Sequence, residues 1–269
     1  MKNRKRNLRG LLIFILILSA VFYTQYPKLN IISGYTAKNL ASWVYISGRT
    51  ETSVVENDHS AGLISLATED IVPESASATS TVFGLHKRQA VFREGLGVVL
   101  LPKSSKLPDS YLVPRRFQVS SPLPYPLGHG IPRDTVFPEV DYTQLQRGLD
   151  QAFSNPDRQR TRTVAVLYKN HLMAERYTDG FGPQTPILGW SMTKSVLATL
   201  YGILQFQGRL DVTEKPGLPQ WASDERRDIT YNDLLRMQSG LSWEEEYSGI
   251  SDVTKMLFLS EDMSTPQAE

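Results

Sequence analysis

The residues with the clearest chemical potential are Ser191-Met192-Thr193-Lys194, an S-x-x-K spacing at the start of an apolar helical pattern. Val196, Leu197, Leu200, Ile203 and Leu204 repeat as one stripe, and Gly208 is placed to stop the helix. Residues three apart on a helix share a face, so the Lys194 Nζ can reach the Ser191 Oγ. The positive end of a helix disfavours a second positive charge, which suits Lys194 to act as a neutral base. The same field favours the alkoxide of Ser191. The Ser191 N–H can serve as one oxyanion donor. Nucleophile, base and electrophile thus fit in one turn, and the chemistry they describe is acyl transfer through a covalent serine adduct. The competing reading is a capping serine followed by a solvated lysine, since about one S-x-x-K arises by chance in a chain this long. Context favours chemistry. The motif follows a hairpin pattern and the loop Asp179-Gly180-Phe181-Gly182, and it opens a helix whose composition predicts burial.

Other candidates carry less. His59, His86, His129 and His171 are scattered without metal-ligand spacing, so no metal is expected, and no organic cofactor is implied. A Ser–His–Asp triad calls for G-x-S-x-G, whereas Gly189-Trp190-Ser191-Met192-Thr193 lacks the second glycine. Trp190 either walls a pocket beside the serine or simply packs. Glu244, Glu245 and Glu246 read as a solvated acidic turn, with a catalytic base as the alternative. The absence of cysteine excludes disulfides, thiolate metal sites and thiol nucleophiles.

Several elements must position the motif. Ala41 to Gly48 reads as a short strand ending in a turn, and Ala90 to Leu101 as a hairpin broken at Gly95. Eight of the sixteen prolines lie from Pro102 to Pro138, which predicts an extended connector. Asp141 to Phe153 carries Leu145, Leu149 and Phe153 at helical spacing. Thr163–Tyr168 and Leu172–Tyr177 read as two strands joined by a turn at Lys169-Asn170-His171. Thr230-Tyr231-Asn232-Asp233 resembles a capping box for a helix ending at Gly240, and Ser251 is placed to cap a last short helix. The domain reading is residues 1–27 as cationic start and membrane anchor or signal segment, 28–138 as a leader region with the proline-rich connector, and 139–269 as the N-terminal part of a catalytic domain.

The chain has 269 residues, with 29 Lys and Arg against 28 Asp and Glu, a net charge of +1 that argues against nucleic acid as a partner. Lys2, Arg4, Lys5, Arg6 and Arg9 crowd the first ten positions, and Leu11 to Pro27 then carries no charge over 17 residues. That length is the lower edge of a membrane span, and the basic flank predicts a cytoplasmic N-terminus with the rest outside the cytoplasm, in the periplasm. A cleaved signal peptide is the alternative, although Leu18 is poor where cleavage prefers a small residue.

The runs GWSMTKSVLATLYGILQFQGRLDV and ITYNDLLRMQSGLSWEEEY resemble the serine β-lactamase-related hydrolases. The branch they resemble holds class C β-lactamases, penicillin-binding-protein-like peptidases and 6-aminohexanoate-dimer hydrolases. GYTAKNLASWVYISGR and AVFREGLG resemble the leader of that last, exported subgroup. The resemblance implies a β-lactamase-like fold of α/β (α+β) type, an antiparallel sheet with a helical lobe. It also implies Ser191 as acylated nucleophile, Lys194 as proton acceptor, and a small-molecule amide or ester as substrate. The family pattern further calls for a Tyr motif and a K-T-G-like strand after the serine. Tyr201, Tyr231 and Tyr247 do not fit it. Tyr168-Lys169-Asn170, Lys215-Pro216-Gly217 and Ser251-Asp252-Val253 read as chance matches. The expectation is therefore an incomplete, inactive chain in which the buried face of the Ser191 helix lacks its cover. The alternative is a non-catalytic or truncated β-lactamase-like binding protein anchored to the membrane.

Overall fold

The computed structural model describes residues 2–102, 110–115 and 120–265. In chain order its elements are α1 (Lys2–Tyr45), α2 (Glu51–Asp58), β1 (Ala67–Val72), β2 (Ser77–Val82), β3 (Leu85–Arg93), β4 (Gly97–Leu100), α3 (Tyr142–Ala152), α4 (Pro156–Gln159), β5 (Thr163–Tyr168), β6 (His171–Tyr177), α5 (Thr193–Phe206), α6 (Tyr231–Leu235) and α7 (Asp252–Phe258). The chain is mixed α+β, and its strand pairs are antiparallel. Packing divides it into two compact units, Met1–Leu112 with Leu188–Glu269, and Val113–Ile187.

The first unit is built on a four-stranded meander in the order β1-β2-β3-β4. Its last hairpin falls where the sequence places it, with Gly95 and Gly97 at positive φ. The C-terminal half of α1 packs across β2 and β3, burying Ile32, Ala37, Leu40, Ala41 and Trp43 with Ala78, Val82, Ala90 and Val91. Polar side chains share this interface, and several of their groups are paired there. The Thr36 and Ser80 hydroxyls meet at 2.7 Å, and the Ser33 Oγ donates to the His86 carbonyl at 2.7 Å. The buried Arg88 guanidinium donates to the Asn30 Oδ1 at 3.0 Å and the Leu101 carbonyl at 3.1 Å. It also donates to the Phe258 carbonyl, which ties the end of α7 to the sheet. Such satisfaction is what permits a polar helix–sheet interface.

The strand expected from Ala41 to Gly48 is not a strand. Helix α1 continues to Tyr45, and the turn at Gly48 (φ 71) follows it. Trp43-Val44-Tyr45-Ile46 has strand-like residues, but burial of a 3.6-residue stripe against the sheet overrides that local preference. The N-terminal half of α1 is different in kind. Ile13 to Ile17, Phe22 and Tyr23 are exposed, whereas Asn30 and Ser33 are buried, with Pro27 between the two stretches. By length and composition α1 can cross a membrane, a test that signal sequences also pass.

The second unit holds the β5–β6 hairpin, whose turn residues Lys169 and Asn170 both have positive φ, as a two-residue turn of this hand requires. The Asp141 carboxylate accepts from the Gln144 N–H at 3.0 Å and caps α3, from which Leu149 is buried. The described part of the proline-rich stretch holds no helix or strand, and residues 103–109 and 116–119 of it lie outside the described residues.

Two short helices complete the first unit. Helix α6 opens on the expected capping box of Thr230 and Asp233. It closes at Leu235 and not near Gly240, because Met237 takes a left-handed conformation (φ 55). Ser251 caps α7, accepting from the Thr254 N–H.

Candidate active site

Ser191 lies in a 3-10 turn, Trp190–Met192, that runs directly into α5 at Thr193. The α-helix therefore begins two residues later than the spacing suggests, yet the dyad forms. The Lys194 Nζ is 2.8 Å from the Ser191 Oγ. At that distance an ammonium donates to the hydroxyl oxygen, and a neutral amine accepts the hydroxyl proton.

Ser191 is not a capping serine. Gly189 stands before the 3-10 turn and Met192 before α5, and neither start has a side-chain cap. The turn is closed instead by the Met192 N–H donating to the Gly189 carbonyl at 2.8 Å, and by the Thr193 Oγ1 donating to the Trp190 carbonyl at 2.6 Å. A Cβ on Gly189 would stand 3.1 Å from the Thr193 Cγ2, so the turn passes close to the helix it feeds.

One expectation about the setting needs correction. Helix α5 is not buried among the described residues. Val196 is 61% exposed, Leu197 and Leu200 are each 51%, and Phe206 is 93%. Apolar composition says what a face gains by burial, but burial needs a second surface. Among the described residues of its unit, α5 packs extensively only against the turn that precedes it. Lys194 therefore does not open a buried helix, and the apolar face of α5 is exposed among the described residues.

The remaining candidates have ordinary roles. Tyr168-Lys169-Asn170 forms the end of β5 and its turn, and the Tyr168 hydroxyl donates to Glu139. Lys215 pairs with Asp228 at 2.6 Å on the surface. Ser251 and Thr254 form a reciprocal cap. Glu245 accepts from the Tyr247 hydroxyl and Glu246 from the Ser248 N–H, as in a solvated acidic turn. The His171 Nδ1 lies 2.8 Å from the Lys169 carbonyl in the hairpin turn.

Two arrangements have no counterpart in the sequence reading. The His59 Nδ1 lies 2.8 Å from both Glu69 carboxylate oxygens, and its Nε2 lies 2.9 Å from the Asn39 Oδ1. Both His59 and Glu69 side chains are almost fully buried. Beside them Tyr35 stacks on Trp190, the neighbour of Ser191, at 6.0 Å between ring centres. Burial, followed by the charges of Asp58 and Glu69, pushes the Tyr35 phenol above its usual range. Asn39, His59 and Glu69 come from α1, the end of α2 and β1, so no short spacing marks them. No family model, curated protein or solved structure matches the chain.

Proposed function

We propose that the chain carries the nucleophile and base of an exported, membrane-anchored serine hydrolase of β-lactamase-like type, acting on small amides or esters. The observation that supports this reading is the 2.8 Å contact between Ser191 and Lys194, made by a serine that caps nothing. In this mechanism the Lys194 amine takes the hydroxyl proton as the Ser191 Oγ attacks the substrate carbonyl carbon. The tetrahedral adduct expels the amine or alcohol, which receives that proton from the Lys194 ammonium. Water then attacks the acyl-serine with Lys194 again as base, releasing the acid and restoring the hydroxyl. Short amides such as aminohexanoate oligomers, simple esters and peptidoglycan-related peptides are the substrate classes implied by the resemblance.

A second reading is an anchored protein that captures acyl ligands without turnover. It is favoured by one observation: among the described residues, no side chain other than Lys194 is seen in hydrogen-bond contact with the Ser191 Oγ. A chromogenic ester separates the two. Steady Ser191-dependent release supports the hydrolase, and a single equivalent supports capture. No release at all contradicts both.

A further inference from the structure

We propose that Tyr35 of α1 is a positioning residue for Ser191, acting as a fixed aromatic post that clamps the Trp190 indole; its kinetic consequence rests on the reading of Ser191 as nucleophile. Trp190 has φ 41, in the left-handed region, where a bulky side chain is disfavoured and must be held by its surroundings. Burial does not do this, because Trp190 is 55% exposed. Two things hold it. Its carbonyl accepts from the Thr193 Oγ1, and its ring lies nearly parallel to Tyr35, at 15° and 6.0 Å, within the range of favourable aromatic pairs.

Tyr35 is suited to be the fixed partner. It sits on the core half of α1, one turn before the buried Asn39 and beside the fully buried Thr36 and Ala37. Its ring also meets His59 at 6.0 Å and the edge of Phe258 at 6.3 Å, so three elements set its position. Among the described residues no hydrogen bond engages its hydroxyl, and the ring alone does the clamping. Ser191 is bonded directly to Trp190. The Met192 N–H bond to the Gly189 carbonyl spans the Trp190 φ, so relaxation of that angle toward an ordinary value opens the turn that carries the Ser191 Oγ.

The test uses the full chain in detergent, with Tyr35→Leu, Tyr35→Phe and Trp190→Leu. Amide exchange over residues 189–193 reads the turn directly, and the rate of Ser191 modification by a fluorophosphonate reads its consequence. In Tyr35→Leu, exchange at the Met192 amide should quicken and labelling should slow, each by roughly two- to tenfold, the factor an aromatic pair provides. Tyr35→Phe should match the unaltered chain, and Trp190→Leu should reproduce the loss from the exposed side, where folding is not at stake. Unchanged exchange at 189–193 in both Leu variants overturns the clamp, whatever the labelling shows. Faster exchange in a chain whose Ser191 never labels upholds the clamp and overturns the nucleophile.

Discussion

Removing the imidazole of His59 tests whether the first unit is stapled where the structure places its buried His59–Glu69 contact. The Glu69 and His59 side chains are 3% and 1% exposed, and His59 Nδ1 stands 2.8 Å from the carboxylate. His59→Ala leaves that carboxylate buried without its partner and strips the Asn39 amide of its contact as well. Breaking a buried pair from one side costs about 3–5 kcal/mol. For a chain of this size that lowers the melting temperature by roughly 6–20 °C. Urea unfolding of the full chain in detergent, followed by circular dichroism, measures the difference. Glu69→Ala should cost a comparable amount. The double variant should cost less than the two single losses together, by about 0.5–3 kcal/mol, because one interaction is removed twice. A loss below about 1 kcal/mol in His59→Ala, or strict additivity, would refute the argument.

Lys194→Arg should slow Ser191 labelling about as much as Lys194→Ala, by roughly 10²–10⁴-fold, since a guanidinium cannot accept the proton; near-normal labelling in the Arg variant removes Lys194 as base. Leu200→Glu should leave stability within about 0.5 kcal/mol while reducing binding of a hydrophobic dye, because Leu200 is 51% exposed on an apolar stripe. A large destabilisation would show that this face is covered. The Tyr177 phenol, bonded to the Glu175 carboxylate, is pushed up to about 12 from 10.0. A folded value above the unfolded one means that its stabilising contribution is complete below pH 10 and fades as pH rises toward 12. In ultraviolet titration Glu175→Gln should bring this late-titrating tyrosine back toward 10, and an unaltered titration curve would contradict the assignment.

What the sequence revealed was local. Gly95 between apolar runs marks the β3–β4 hairpin, Ser251 marks the start of α7, and the three-residue step from Ser191 to Lys194 marks the dyad, because each depends on neighbours along the chain. The failures share the opposite cause. Ala41 to Tyr45 has strand-like residues but is helical because the sheet, formed later in the chain, buries its 3.6-residue stripe. The Asn39–His59–Glu69 contact joins three elements, and the Tyr35–Trp190 stack joins residues 155 positions apart, so neither leaves a pattern in any short window. Helix α5 shows a further limit: its stripe specifies a face that gains from burial without specifying what covers it.

The central claim is that Ser191 is a nucleophile activated by Lys194. It is tested most directly by treating the full chain in detergent with a fluorophosphonate and mapping the adduct by peptide mass spectrometry. The account predicts one adduct, on Ser191, absent in Ser191→Ala and strongly reduced in Lys194→Arg. An adduct that persists in Ser191→Ala, or a chain that never labels at Ser191, would contradict it.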